Sequence, residues 1–246
     1  MISQDQYSDI AEAWIDMANS ERNAYRLGVL DAWMLTTIGE VAGKDIIDLG
    51  CGEGRFSRML AMREARVVGI DCCKRFINYA TAHRVGGDSY QLGTMAELPC
   101  AEQSFDLAVS YITLVDVPEL QPVLREAYRV LRPGGRFVVC NLMPMVTAGN
   151  HWIKDDAGKK LTFYLDNYFD ESIREMPMCG GVVMNYHRTL STNVNAFLAT
   201  GFQLIGLQEP KPTPEQCMAY PDVDDLLRVP LFAIYDWRKY GEGHQL

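Results

Sequence analysis

KDIIDLGCGEGR, residues 44–55, joins a short apolar run to an acid and to three glycines spaced two apart. Ile46, Ile47 and Leu49 suit a strand buried on both faces. Gly50, Gly52 and Gly54 allow a tight strand-to-helix turn that passes close to a ligand, with backbone N–H groups pointing into the crevice. The spacing predicts a strand over residues 44–50 and a helix over 55–63.

Working outward, the same alternation recurs. Strands are predicted over residues 66–71, 89–92, 105–111 and 136–141, and helices over 74–83 and 119–131, with Pro133, Gly134 and Gly135 turning the chain into the strand at 136. Strands alternating with helices call for a mostly parallel sheet with right-handed crossovers and helices on both faces, an α/β fold. Residues 7–39 carry helical spacing through Ile10, Ala13, Trp14 and Met17, then Leu27, Leu30, Met34 and Ile38. Residues 142–186 break the rhythm, being rich in aromatic residues, Gly and Met, and too long for an ordinary loop. A helix over 192–200, with Ser191 or Thr192 as its cap, precedes strands over 202–207 and 231–235. The expected layout is one domain over residues 1–246. It comprises an N-terminal helical lid (1–40), a cofactor-binding core (41–142), an inserted cap (143–188) and a closing helix and strand pair (189–246), seven strands in the sheet.

The chain has 246 residues, 48% of them hydrophobic, and a net charge of −9. That charge repels a phosphate backbone, so nucleic acid is not the expected partner. The first residues are polar and acidic, and no later run is apolar enough to span a bilayer, so no membrane association and a cytoplasmic location are expected. The seven cysteines are odd in number and lack C-x-x-C spacing, which argues against a disulfide framework and against a zinc site. No metal is expected.

Three features converge on a nucleoside-bearing cofactor. These are the glycine turn from Asp48 to Arg55, with Cys51 inside it; Asp71, ending the next strand, where a carboxylate accepts both ribose hydroxyls; and the switch point at the carboxyl ends of these strands. A dinucleotide fingerprint wants glycine or alanine where Arg55 stands and lacks an acid at the end of the first strand. Here Asp48 occupies that place, suited to a cationic amino acid moiety.

DLGCGEGRFSRMLA (48–61), VVGID (67–71), GTMAELPCAEQSFDLAVSYITLVDVPE (93–119) and EAYRVLRPGGRFVV (126–139) resemble, in order and spacing, the motifs of class I S-adenosylmethionine-dependent methyltransferases. The likeness is to the broad group that includes ubiquinone and menaquinone C-methyltransferases and many small-molecule enzymes, whose fold is Rossmann-like. It implies Gly50, Gly52 and Gly54 against S-adenosylmethionine, Asp48 near its methionyl end, Asp71 on the ribose and Cys72 beside the adenine. It implies Met95 and Ala96 at the adenine edge, and Ser110 and Tyr111 near the methionine portion. Thr94 stands where the family often has Asp, so a hydroxyl or the backbone must replace that contact.

A sulfonium donor is already activated, so alignment and exclusion of water supply much of the acceleration. A base is needed only where the acceptor must lose a proton. His151, His187, Asp116 and Glu209 are candidates, and His187 is preferred because it joins the insertion to the following helix. Each also has a structural reading as a cap or anchor. Tyr7, Trp14, Tyr25 and Arg26 are placed to close over the cofactor. Trp152, Phe163, Tyr164, Tyr168 and Phe169 suggest an apolar acceptor pocket. Tyr7, Trp14, His151, Trp152 and Tyr168 are thus the acceptor-binding candidates. The expected activity is methyl transfer to nitrogen or oxygen of a small molecule, releasing S-adenosylhomocysteine. The competing readings are a C-methyltransferase of quinone type, a NAD(P)-dependent oxidoreductase and a non-catalytic cofactor-binding protein.

Overall fold

The computed structural model describes residues 6–149 and 151–240, with His151 described by its backbone alone. Two short helices, α1 (Ala11–Ala18) and α2 (Asp31–Ile38), precede the first strand. The helical pattern of the N-terminal region is broken between them. The chain turns at Ser20, whose hydroxyl donates to the Met17 carbonyl, and re-enters a helix through a π-turn at Arg26–Leu30.

The strands and helices then alternate: β1 (Asp45–Leu49), α3 (Arg55–Ala61), β2 (Arg66–Asp71), α4 (Lys74–Ala82), β3 (Asp88–Leu92), β4 (Phe105–Tyr111), α5 (Leu120–Val130) and β5 (Leu131–Leu142). β5 starts five residues earlier than the strand expected at 136, because the Pro-Gly-Gly turn is absorbed as an irregularity where the β4–β5 register shifts. α6 (Pro144–Thr147) opens the insertion, which folds as two antiparallel hairpins, β6 (His151–Lys154) with β7 (Lys160–Tyr164) and β8 (Ile173–Met178) with β9 (Gly181–Tyr186). After α7 (Leu190–Thr200) come β10 (Phe202–Gln208), α8 (Pro214–Ala219) and β11 (Phe232–Lys239).

The main sheet has the order β10-β11-β5-β4-β1-β2-β3, with β11 running against its neighbours. Period-2 alternation sends neighbouring residues to opposite faces. Ile46, Val109 and Val138 pack with Met34 and Leu60 on one face; Ile47, Ala108 and Phe137 pack with Leu124 and Phe197 on the other. α5 covers its face because Leu120, Val123, Leu124, Ala127 and Val130 recur at helical spacing and are buried. α7 is capped by Thr189, not by Ser191 or Thr192: its Oγ1 accepts from Thr192 N at 3.2 Å. Gly201 ends that helix at φ +100°. Among the described residues no helix is long and apolar enough to cross a membrane.

Candidate active site

β1 lies between β4 and β2, where the chain order of the sheet reverses, and the carboxyl ends of these three strands form a crevice. Gly50 leaves β1 at φ +74°, and a Cβ there would lie 2.1 Å from Thr113 Cγ2, so only glycine lets this turn press against the loop after β4. Gly50 N and Cys51 N both donate to the Ile70 carbonyl, at 2.8 and 3.0 Å. Asp71 is pinned by two backbone donors, Gly52 N to Oδ2 at 2.9 Å and Cys73 N to Oδ1 at 2.8 Å. It fixes the glycine turn and the start of α4 together. Ile112, directly after β4, adopts φ +58°. A β-branched residue there stores on the order of 1–3 kcal/mol of backbone strain, and Ile112 lines the crevice.

Two confluent recesses occupy this place. The smaller, about 60 Å³, is lined by the charged side chains of Arg26, Asp48, Glu53 and Arg55, with Trp14 and Tyr111 among others. The larger, about 300 Å³, is mostly apolar and is lined by Cys72, Thr94, Met95, Ala96, Val117, Pro118 and Val123 among others. Tyr7, Gly50, Asp71, Thr113 and Asp116 line both.

In the smaller recess Asp48 is 1% exposed and accepts from Ser57 Oγ at 2.6 Å. Burial pushes its carboxyl up to about 7 against that hydrogen bond, and Asp71 and Glu53 add to the rise. Two arginines reach the recess. Arg55 is spent in a bidentate pair with Asp31, both contacts 2.8 Å. Arg26 lies over the rings of Tyr111 and Trp14, 5.0 and 5.5 Å from their centroids, and no carboxylate among the described residues is within ion-pairing distance of it. Tyr111 is fixed by its hydroxyl, which donates to Asp31 Oδ1 at 2.9 Å. At the junction, Tyr7 Oη donates to Asp116 Oδ2 and Asn185 Nδ2 donates to Asp116 Oδ1, each at 2.8 Å. Burial again dominates, pushing Asp116 up to about 7.

Most of the expected cofactor residues therefore meet in one crevice. Gly54 does not line it; it holds the left-handed position before α3, packed under Tyr90. Ser110 is also elsewhere: the alternation of β4 turns it into the opposite core, where its hydroxyl is buried without a partner among the described residues. His187, the preferred base, is 2% exposed and lines neither recess. Its Nδ1 meets Thr147 Oγ1 at 2.7 Å and its Nε2 meets the Tyr168 carbonyl at 2.8 Å, so both nitrogens tie the insertion together. Trp152 donates to Asp225 beneath Arg228, and the Tyr168 hydroxyl accepts from Leu190 N; neither reaches the crevice. The side chain of His151 lies outside the described residues. Glu209 is exposed and lines neither recess. Sequence reasoning missed Glu53, Thr113 and Asn185. Thr113 was findable from its place two residues past a strand end; Asn185 comes from the insertion and carried no local signal.

The profile of a methyltransferase domain matches residues 47–139. An S-adenosylmethionine-dependent methyltransferase from Mesorhizobium loti superposes with a TM-score of 0.76 at 30% identity, over 85% of this chain and 96% of that one. A demethylmenaquinone methyltransferase of Tropheryma whipplei is 37% identical over 105 residues, 42% of this chain and 44% of that protein. A ubiquinone biosynthesis O-methyltransferase of Leptothrix cholodnii is 27% identical over 135 residues, 52% and 57% of the two chains. The chain thus spans about half the length of these two curated relatives. The fold and these matches define a Rossmann-like methyltransferase. The chain belongs to the S-adenosylmethionine-dependent methyltransferase family, and S-adenosylmethionine is its cofactor.

The crevice suits that molecule. A buried acid and a guanidinium with no carboxylate partner among the described residues would suit an amino acid zwitterion, a backbone-pinned carboxylate would suit a diol, and the larger, mostly apolar recess would suit a flat base.

Proposed function

We propose that this enzyme moves the methyl group of S-adenosylmethionine to a nitrogen or oxygen of a small-molecule acceptor, leaving S-adenosylhomocysteine. The observation that carries this reading is the confluence, around Asp71 and Gly50, of a small recess lined by charged side chains and a larger one that is mostly apolar. Asp48 and Arg26 hold the amino acid end, Asp71 the ribose, and Thr94 to Ala96 the adenine. Thr94 Oγ1 accepts from Ala96 N at 3.2 Å, shaping that loop in place of the acid usual in the family. The cofactor brings a methyl group already bonded to a positive sulfur; the chain aligns it and keeps water out.

The matched methyltransferase profile ends at residue 139, before the insertion at 143–188, so the acceptor side is where this chain is individual. Tyr7, Trp14 and Arg26 of the N-terminal region line the crevice, and Asn185 of the insertion reaches its edge by donating to Asp116. Transfer to carbon in a quinone precursor is the second reading, favoured by the name of the Tropheryma whipplei relative.

Calorimetry with S-adenosylmethionine, S-adenosylhomocysteine and NAD on wild type and Asp71→Ala tests the cofactor half. Micromolar binding of the first two is expected, weakened about tenfold or more in the variant as a charge-assisted contact to the diol is lost. NAD binding in their place would overturn it. Radiolabelled methyl transfer to a panel of amines, phenols and quinols then separates the acceptor readings.

A further inference from the structure

Asp116 lines both recesses without being one of the residues that hold the cofactor. It follows β4 at the seam of the two recesses and is gripped from two sides that are remote in sequence, by the Tyr7 hydroxyl from the N-terminal segment and the Asn185 carboxamide from β9. Asn185 is itself buried. Gln6 fastens the same segment to β9 through the Met184 backbone, donating to its carbonyl at 3.1 Å and accepting from its N–H at 2.5 Å. Each carboxylate oxygen accepts one hydrogen bond and keeps a further lone pair.

We propose that Asp116 is the proton acceptor of the methyl transfer, and that the substrate is accordingly a molecule with an ionisable N–H or O–H at the atom methylated. The inference rests on the cofactor reading above. With the amino acid in the smaller recess and the adenosine in the larger one, the sulfur that joins them would fall at the seam, which Asp116 lines. In the balanced step a nitrogen or oxygen lone pair of the substrate forms the new bond to the methyl carbon. The carbon–sulfur bond breaks with its electron pair going to sulfur, and the substrate's proton goes to Asp116. Tyr7 and Asn185 are positioning residues. The charged groups acting on Asp116 are Asp71 at the end of β2 and Arg26 over Tyr111, while the Arg188 guanidinium donates to the Leu114, Val117 and Pro118 carbonyls beside it in the chain. A carboxyl brought to about 7 by burial is matched to a proton transfer near neutrality.

The test needs no known acceptor. Sinefungin is S-adenosylhomocysteine with an amine-bearing carbon in place of sulfur, so it presents a cation where the methyl group is transferred. Calorimetry of both ligands is run at pH 5.5 and 8.5 on wild type, Asp116→Asn and Tyr7→Phe. Sinefungin is expected to bind wild type about tenfold more tightly at pH 8.5. The advantage shrinks at pH 5.5, disappears in Asp116→Asn while S-adenosylhomocysteine affinity is kept, and survives in Tyr7→Phe. Equal binding of the two ligands to wild type, or an advantage retained in Asp116→Asn, overturns the proposal. If Asp116→Asn does not fold, the wild-type pH dependence decides, a flat advantage being the adverse result. Failure of wild type to bind S-adenosylhomocysteine at all would instead sink the cofactor reading.

Discussion

Asp48 ends a parallel strand with one serine hydroxyl as its donor and two more acids close by, and burial pushes its carboxyl up to about 7. In an unfolded chain aspartate ionises near 3.9. Between those two values the folded state holds a proton that the unfolded state has released. Stability contributed by this group therefore falls as pH rises from about 4 to 7 and stays flat above. Asp48→Asn keeps a carbonyl oxygen for Ser57 and removes the titration. The melting temperature of the variant minus that of wild type is expected to be larger at pH 8 than at pH 5 by about 4 °C or more. Affinity for S-adenosylhomocysteine should fall about tenfold or more as the partner of its ammonium is lost. Scanning calorimetry at the two pH values decides it: a constant difference would show that Asp48 is ionised in the fold throughout. Function here is held against stability, as it is at Ile112, where a strained backbone turns the chain from β4 into the crevice.

The insertion shows the same relation between elements. His187 sits between β9 and α7 and bonds both α6, through Thr147, and the Tyr168 backbone. His187→Ala removes a partner from the buried Thr147 hydroxyl, which keeps only the Pro144 carbonyl at 3.3 Å, and from the carbonyl of half-buried Tyr168, and it opens a cavity. A loss of about 2–4 kcal/mol in chemical denaturation is expected, with S-adenosylhomocysteine affinity changed less than about twofold. Undiminished stability would contradict a bridging role. What was legible in the sequence divides at this level. β1, α3, β2 and α5 announce themselves because one buried face is written in one contiguous segment. β8 is hidden because a charged residue, Arg174, shares its inward face with Met176 and Met178, apolar Ile173 is exposed, and Pro177 lies within the strand. The α7 cap was misplaced for a similar reason. Three hydroxyl residues lie within a few positions of each other, and Glu171, from far back in the insertion, accepts the hydroxyls of both Thr189 and Thr192 but the backbone N–H of Thr189 alone, at 2.9 Å. The glycine turn and Asp71 were readable as a local motif. The grip on Asp116 was not, since Tyr7 is 109 residues away and Asn185 is 69.

Across the whole molecule, a buried sheet carries a crevice that the N-terminal segment covers, and the second hairpin of the insertion holds that segment in place. Arg136 locks one side of the platform, pairing with Asp236 on β11 and donating to the Thr37 and Ile38 carbonyls at the end of α2. Such long-range ties to buried strands resist local opening. The roof is held otherwise. Tyr7 and Gln6 clip the N-terminal segment to Asp116 and β9, and Ile10 packs so closely on Gly181 that a Cβ there would lie 2.4 Å away. Entry of a molecule the size of S-adenosylmethionine requires this seam to part, so the segment and the second hairpin should open together while β5 and β11 stay shut. Hydrogen exchange read by mass spectrometry is expected to show fast exchange in residues 6–26 and 181–188, slowed together by saturating S-adenosylhomocysteine, with β11 unchanged. At a ligand concentration about 100 times Kd the same binding adds about 2.7 kcal/mol of stability, a rise of several degrees in melting temperature. Protection confined to the glycine turn, with residues 6–26 indifferent to ligand, would show that the roof takes no part in holding the cofactor.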